Sequence, residues 1–179
     1  MALPSRNLEI KVRVEPEMLL DVQARLERQI CQPLVTMHQV DRYYAVDEGR
    51  LKLREVADVR EGRTLIELIA YRRPTLKASR WSDYVVVPIP VPNHDALRDA
   101  LDATHAVTAV VEKDRTIGII GKTRVHLDTV VNLGTFVELE TVVAGQSADS
   151  AREEHNQVIV ALGLDRFPVI ASSYQELVQ

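Results

Sequence analysis

Residues 7–14 (NLEIKVRV) alternate strictly between polar and apolar side chains. A period of two is that of a β-strand whose two faces lie in different surroundings. Three of the four polar residues on this strand, Glu9, Lys11 and Arg13, carry full charges. The stretch therefore predicts a strand with one apolar and one charged face, and the rest of the fold can be worked out from it.

The same alternation returns further along the chain. Residues 50–55 place Arg50, Lys52 and Arg54 on one face and two leucines on the other. Short turns at 120–122 and 132–134 indicate that the last three strands are antiparallel neighbours. Seven or eight strands are expected in all, and beyond the first two they are predicted over residues 64–73, 80–89, 109–120, 122–130 and 135–143.

Three segments have helical periodicity instead. The first covers about residues 16–30, where Leu19, Val22 and Leu26 form an apolar stripe. The second follows Asn93, and the third follows Ser147 and ends at Gly163, a residue suited to a helix C-terminus. Antiparallel strands with a few helices predict an α+β fold.

The composition excludes several classes of protein. A chain of 179 residues fits one domain, residues 1–179, and its net charge of −4 argues against general nucleic-acid or membrane binding. The single cysteine, Cys31, cannot form an internal disulfide, and no Cys/His spacing predicts a zinc site. Neither a signal peptide nor an apolar run of about 18 residues is visible, so we expect a cytoplasmic protein.

The charged strand faces indicate a site. Amphipathic helices need apolar surface to cover, and if they cover the apolar strand faces from outside, the charged faces point inward. A closed eight-stranded barrel would also remove exposed sheet edges, whereas an open sheet with one solvated face is the alternative. Basic groups outnumber acids two to one on the predicted inner face, which comprises Glu9, Lys11, Arg13, Arg50, Lys52, Arg54, Glu67, Arg73, Arg80, Lys113, Arg115, Arg124, Asp128, Glu138 and Glu140.

Such an interior fits a small polyanion. Lysine and arginine bind phosphate oxygens, and a buried surplus of cations needs an anionic partner. Glu9, Glu138 and Glu140 are hard oxygen ligands that, together with phosphate oxygens, suit Mg²⁺ or Mn²⁺. Arg80 shares a strand face with Ser82 and Tyr84 and is a further candidate for ligand contact, whereas His126 has inward parity but is expected to be a structural histidine.

An ordered set of motifs covers nearly the whole chain. After residues 7–11 (NLEIK) come residues 51–55 (LKLRE), 71–74 (YRRP), 112–115 (EKDR), 126–128 (HLD), 133–140 (LGTFVELE) and 173–174 (SY). In this order they resemble the motifs of the CYTH superfamily, which opens on an ExExK strand and takes in class IV adenylate cyclases and triphosphatases of the triphosphate-tunnel fold. Including Gly121-Lys122, the pattern is most similar to the class IV cyclase branch.

The resemblance implies a tunnel of eight antiparallel strands that binds a triphosphate with one or two divalent metals. It assigns Glu9 and Glu138, with Glu140, to the metals. In the same way it implies that Asp128 either binds a metal or orients a neighbouring arginine. A homodimer is the oligomeric state that it suggests. The residues it assigns to phosphate are Lys11, Lys52, Arg54, Lys113, Arg115 and Arg124, with Arg73 at a phosphate or the nucleotide end. Its candidates for catalytic groups are Lys11, Arg54, Arg115 and Asp128.

Asn7 departs from the pattern, because the first position of ExExK is a glutamate. Its side chain brings no negative charge, which puts a second metal in doubt. Conversion of ATP to cyclic AMP and pyrophosphate is the reading nearest to the resemblance. Hydrolysis of inorganic triphosphate, thiamine triphosphate or a nucleoside triphosphate, and non-catalytic sensing of polyphosphate or nucleotide, stay open as alternatives.

Overall fold

The computed structural model describes residues 5–59, 61–72, 80–143 and 145–179. Eight strands and four helices occupy these ranges, and a short 3-10 turn, Val91–Asn93, precedes the second helix. In chain order they are β1 (Ser5–Val14), α1 (Pro16–Glu27), β2 (Val35–Tyr44), β3 (Arg50–Asp58), β4 (Thr64–Arg72), β5 (Arg80–Ile89), α2 (His94–Thr104), β6 (Val107–Ile120), β7 (Thr123–Val130), β8 (Gly134–Val142), α3 (Ala148–Leu162) and α4 (Tyr174–Leu177).

The strands form one antiparallel sheet that curls into a barrel. Their order is β1-β5-β4-β3-β2-β6-β7-β8, and β8 pairs with β1 over eight residues. The β1–β5 ladder completes the circle over only five pairs, from Ser5 with Tyr84 to Glu9 with Arg80. The predicted antiparallel α+β architecture is therefore confirmed, and its shortest seam lies between β1 and β5.

The helices lie outside the barrel, against the apolar strand faces. Val22 and Leu26 of α1 and Val158 and Leu162 of α3 pack in one cluster with the outward apolar residues of β1, β7 and β8. On the other side α2 packs against apolar residues of β2, β3 and β4. Because this packing buries the apolar faces, the alternate, charged residues point into the barrel.

Most predicted elements are observed with ends shifted by up to three residues, and two elements were missed. The first helix ends at Glu27 rather than residue 30, while Gly163 adopts the left-handed conformation at the C-cap of α3, as predicted. Strand β2 has no alternating pattern, because its inner and outer faces both mix polar and apolar side chains. Four-residue α4 is too short to carry a periodic signal.

Residues 172–177 pack against one end of the barrel. Tyr174 is buried beside Phe136, with ring centroids 5.1 Å apart. Arg50, at the start of β3, binds Glu176 at 2.6 Å and also donates to the Ser173 hydroxyl. This end of the barrel is thus covered by a segment held through side chains of the strands.

None of the helices within the described ranges is long and apolar enough to cross a membrane.

Candidate functional site

The barrel encloses a cavity of about 500 Å³, which is within the usual range for a small-molecule site. Inward-facing residues of all eight strands, together with Ser173 and Tyr174, line it. Its charged lining residues are Glu9, Lys11, Asp41, Lys52, Arg54, Glu67, Lys113, Arg115, Arg124, Glu138 and Glu140.

One cationic pair in the cavity is held by Asp41. Both oxygens of this carboxylate accept hydrogen bonds from Arg54, at 2.7 and 3.1 Å, and Lys52 Nζ lies 2.9 Å from Oδ2. Burial alone would raise the pKa of Asp41, but the charges of Arg54 and Lys52 outweigh it and hold that pKa well below its usual range. Asp41 therefore stays ionised and fixes both cations on the wall.

Lys52 has a pKa close to neutrality. Burial, and then the neighbouring Arg54 charge, lower the pKa of its ammonium to about 7. Arg54 already compensates Asp41, and its own pKa is raised, mainly by the Asp41 carboxylate acting against the effect of burial. Lys52 can consequently take up a proton when a further anion enters the cavity.

A second cationic pair repeats the arrangement on β6. Arg115 donates to Asp128 at 2.6 and 2.5 Å, and Lys113 Nζ lies 3.0 Å from Asp128 Oδ2. The Tyr174 hydroxyl donates to the same oxygen at 2.9 Å. Burial would raise the pKa of Asp128, yet Arg115 and Lys113 hold it far below its usual range. Each Lys-x-Arg pair is thus anchored by one buried aspartate on the neighbouring strand.

Lys11 and Glu138 join the second pair to the covered end of the barrel. Lys11 Nζ donates to the Ser172 carbonyl at 2.7 Å and lies 3.7 Å from Glu138. Arg115 reaches the other oxygen of Glu138 at 2.7 Å. Although burial raises the pKa of Glu138, Lys11, Lys113 and Arg115 together lower it, so this carboxylate is ionised.

The third group of charges comprises Glu9 and Glu140, which face each other on β1 and β8. The Tyr84 hydroxyl lies within hydrogen-bond distance of both, and Arg124 Nε lies 3.2 Å from Glu140. Burial, and then the two carboxylates, raise the pKa of Tyr84, so its hydroxyl remains a neutral donor. The Asn7 amide donates to Glu140 and to Tyr84.

The donor chemistry of the cavity fits a divalent cation of the Mg²⁺ type. Glu9, Glu138 and Glu140 all line it with carboxylate oxygens, the ligands that Mg²⁺ and Mn²⁺ prefer. Within the described ranges, however, no three carboxylates, histidines or cysteines converge on one point. A cation bound here would therefore have to complete its shell with oxygens of a ligand or of water.

One wall of the cavity is apolar. Its side chains come from five successive strands, β6, β2, β3, β4 and β5, and two of them are about half exposed, Leu65 at 48% and Val86 at 46%. Exposed apolar side chains inside a cavity are typical of a ligand-binding surface. The residues of this apolar wall are Met37, Val56, Leu65, Ile69, Val86 and Ile117.

His126 lies beside this wall, opposite Ile117 in the β6–β7 register. Burial, and then the Arg115 charge, lower its pKa well below the usual value, so the imidazole is neutral. Neither ring nitrogen has a hydrogen-bond partner among the described residues, and Nε2 lies 3.7 Å from Glu140. The hydrogen bonds expected of a structural histidine are therefore not found among the described residues, and the role of His126 stays a prediction.

The structure brings most of the sequence-predicted residues together. Asp128 lies directly behind the cavity wall, and the other residues that line the cavity are Lys11, Lys52, Arg54, Lys113, Arg115, Arg124, Glu9, Glu138 and Glu140. Arg73 falls outside the described residues, and the backbone of Arg80 lies on β5 while its side chain falls outside the description. The functional roles of all these residues stay predictions.

The predicted twofold excess of cations on the inner face was wrong for the described residues. Arg13 is exposed beyond the cavity, and Arg50 binds α4 instead. Strand β2, which was not predicted, adds Asp41. The described cations, Lys11, Lys52, Arg54, Lys113, Arg115 and Arg124, are therefore matched by the carboxylates Glu9, Asp41, Glu67, Asp128, Glu138 and Glu140.

Comparisons with known proteins agree with this architecture. The sequence profile of the CYTH domain matches residues 5–174, and no curated protein matches the sequence. The PH1012 protein of Pyrococcus horikoshii has a TM-score of 0.76 at 19% identity, over 97% of this chain and 99% of that one. At such identity the likeness concerns the fold alone.

Some of the similar structures are described by an activity. A candidate adenylate cyclase from Vibrio parahaemolyticus has a TM-score of 0.67 at 17% identity, over 97% of this chain and 98% of its own. A candidate adenylyl cyclase from Hippeastrum is described as having a dominant triphosphatase activity. It has a TM-score of 0.65 at 11% identity, over 94% of this chain and 91% of its own.

Proposed function

Because the chain belongs to the CYTH domain family, we propose that it is an enzyme that binds a nucleoside triphosphate in its barrel and acts on it with a divalent metal. The observation that carries the proposal is the pair of Lys-x-Arg motifs, Lys52 with Arg54 and Lys113 with Arg115, held by buried aspartates around one cavity. Ammonium and guanidinium groups fixed in this way are preorganised to bind a chain of phosphates.

The balance of charge supports the metal. Since the described cations of the cavity are matched by carboxylates, a triphosphate would add several uncompensated negative charges. A divalent cation brought in with the phosphates would offset them, and Glu9, Glu138 and Glu140 are the carboxylates that we predict to hold it. When bound, such an ion supplies charge stabilisation at the reacting phosphate and orients it.

The apolar wall supports an organic triphosphate over an inorganic one. Inorganic triphosphate has no apolar part and would leave Leu65 and Val86 in contact with water. The neutral His126 beside Ile117 suits a sugar hydroxyl or a base edge better than a phosphate. A nucleotide would contact both parts of the cavity, because its phosphates would lie among the cations and its organic end would lie on the apolar wall.

Two reactions are compatible with such a complex. In cyclisation the ribose 3′-oxygen attacks the α-phosphorus, loses its proton and displaces pyrophosphate. In hydrolysis water attacks the terminal phosphorus and ADP leaves. We place cyclisation of ATP first because the motif pattern is nearest to the class IV cyclases, and hydrolysis second because the Hippeastrum neighbour is described as mainly a triphosphatase.

A product analysis tests the proposal. The pure protein is incubated with ATP and Mn²⁺ or Mg²⁺, and the products are separated by chromatography. Cyclic AMP with pyrophosphate is the expected result, and ADP with phosphate would replace cyclisation by hydrolysis. Tight ATP binding without any product would identify a sensor, and failure to bind any triphosphate would overturn the proposal.

Substitution of Val86 by serine tests the role of the apolar wall. The change removes two methyl groups from the cavity surface, and we expect it to weaken ATP binding about tenfold, at ~0.8 kcal/mol for each buried carbon. Binding of inorganic triphosphate should be unchanged. Val87→Ser is the matched control, because Val87 is next in sequence, similarly exposed (45% against 46%) and outside the cavity lining. Equal losses in the two variants would contradict an organic subsite at this wall.

A further inference from the structure

Glu9 and Glu140 are two acidic side chains that face each other directly across the β1–β8 ladder. Like charges at facing positions repel, so such a pair needs a cation or hydrogen-bond donors between them. Here the Tyr84 hydroxyl lies 2.7 Å from Glu9 Oε1 and 2.9 Å from Glu140 Oε1. A single neutral side chain thus contacts both carboxylates.

Asn7 completes the arrangement from the position next to Glu9 on the same strand face. Its side chain is fully buried, and its Nδ2 donates to the Tyr84 oxygen at 2.6 Å and to Glu140 Oε1. Because Tyr84 accepts from Asn7, its own proton remains available for the carboxylates. A glutamate at position 7 has no proton to donate when ionised and would add a third negative charge instead.

The orientation of the Asn7 amide is set by the carboxylates. Its carbonyl oxygen is buried and has no hydrogen-bond partner among the described residues. The reverse orientation would place this oxygen against Glu140 and lose both donated bonds. The amide is therefore oriented by the hydrogen bonds that its NH₂ group donates to Tyr84 and Glu140, while its carbonyl oxygen accepts none from the described residues.

We propose that Asn7 and Tyr84 take the place of a divalent cation between Glu9 and Glu140. Hydrogen bonds hold these two carboxylates together, and without phosphate oxygens this part of the cavity is not a cation site. The inference rests on the contacts of the four side chains. It narrows the metal assignment within the proposed function, since Glu138 is then left, of the three predicted metal ligands, for an ion that enters with the triphosphate.

A manganese titration of the protein without nucleotide tests this inference. The electron paramagnetic resonance signal of free Mn²⁺ gives the bound fraction for the wild type and for Asn7→Glu. We expect Asn7→Glu to bind Mn²⁺ at least tenfold more tightly, because it replaces two donors with a third carboxylate. Met37→Glu is the matched control, since it adds the same charge to the cavity from β2, opposite β1 in the barrel. It should bind Mn²⁺ no more tightly than the wild type.

Tyr84→Phe gives a second measurement that does not depend on a new carboxylate. Removal of the hydroxyl takes away the donor that the two glutamates share, so the thermal midpoint in EDTA should fall and Mn²⁺ should restore it. The proposal would be overturned if the wild type bound Mn²⁺ as tightly as Asn7→Glu does. It would also be overturned if Met37→Glu gained as much Mn²⁺ affinity as Asn7→Glu. If Asn7→Glu does not fold, the Mn²⁺ titration is repeated with Asn7→Asp. An Asn7→Asp variant that binds Mn²⁺ no more tightly than the wild type would also overturn the proposal.

The titration is independent of turnover. A protein that bound no triphosphate would refute the proposed function and leave the Mn²⁺ comparison between variants intact. Conversely, two tightly held Mn²⁺ ions in the wild type would refute only the inference drawn from Asn7 and Tyr84.

Discussion

Replacement of Asp128 by alanine should lower the free energy of unfolding by about 3–5 kcal/mol, the usual effect of breaking a buried ion pair from one side. Asp128 is completely buried and accepts hydrogen bonds from Lys113, Arg115 and Tyr174. Among the described residues its loss would leave Lys113 without a direct carboxylate partner and Arg115 with Glu138 alone. Urea unfolding followed by circular dichroism measures the change.

Asp102→Ala is the matched control for this experiment. Asp102 also receives two hydrogen bonds from one arginine, Arg42, at 3.0 and 2.8 Å, but this pair lies on the surface of α2 and β2. Solvent screens exposed pairs, so its removal should shift the urea midpoint far less. If the two variants lost equal stability, the buried aspartate would not be the anchor that the structure indicates.

Replacement of Arg115 by alanine should weaken the binding of a non-hydrolysable ATP analogue roughly tenfold to a hundredfold, while AMP binding changes much less. We expect the triphosphate chain to engage both Lys-x-Arg pairs, whereas a monophosphate can keep the pair formed by Lys52 and Arg54. Isothermal titration calorimetry with both nucleotides measures the two losses, and wild-type circular dichroism of the variant would establish that its fold is intact.

Arg13→Ala is the control for the loss of a positive charge. Arg13 has the same strand parity as Lys11 and Glu9 but is exposed beyond the cavity, over the Phe136 ring. It should leave both affinities unchanged. An Arg115 variant that lost ATP and AMP affinity to the same extent would show that this residue is not a polyphosphate ligand.

Strict alternation made most of the barrel predictable from the sequence. On β1 and β3 the inner face is charged and the outer face is mostly apolar, so local pattern and tertiary environment agree. The inward direction of Lys11, Arg54 and Arg115 followed from parity and from the need of the helices for apolar surface. The same reasoning could not locate the ends of the cavity, and so it included Arg13 and Arg50.

Strand β2 shows why Asp41 was missed. Both faces of this strand mix polar and apolar side chains, so a period of two cannot be recognised. The inner residues are Met37, Gln39, Asp41 and Tyr43. The importance of Asp41 comes from its place opposite Arg54 in the β2–β3 register, a contact that depends on the tertiary fold. The network of Tyr84 with Glu9 and Glu140 is likewise formed by strands remote in the sequence.

The contacts of Lys11 have a consequence for the order in which the protein folds. Ser172, which accepts its hydrogen bond, is 161 positions away along the chain, and the facing Glu138 lies on the last strand. Closing loops of this length is slow compared with forming a hairpin such as β6–β7. We therefore expect the interior charges to stay hydrated until β8 and the segment around Ser172 arrive. A pairing displaced by one residue would turn those charges toward the apolar helices, so the charged inner face also disfavours incorrect closure of the barrel.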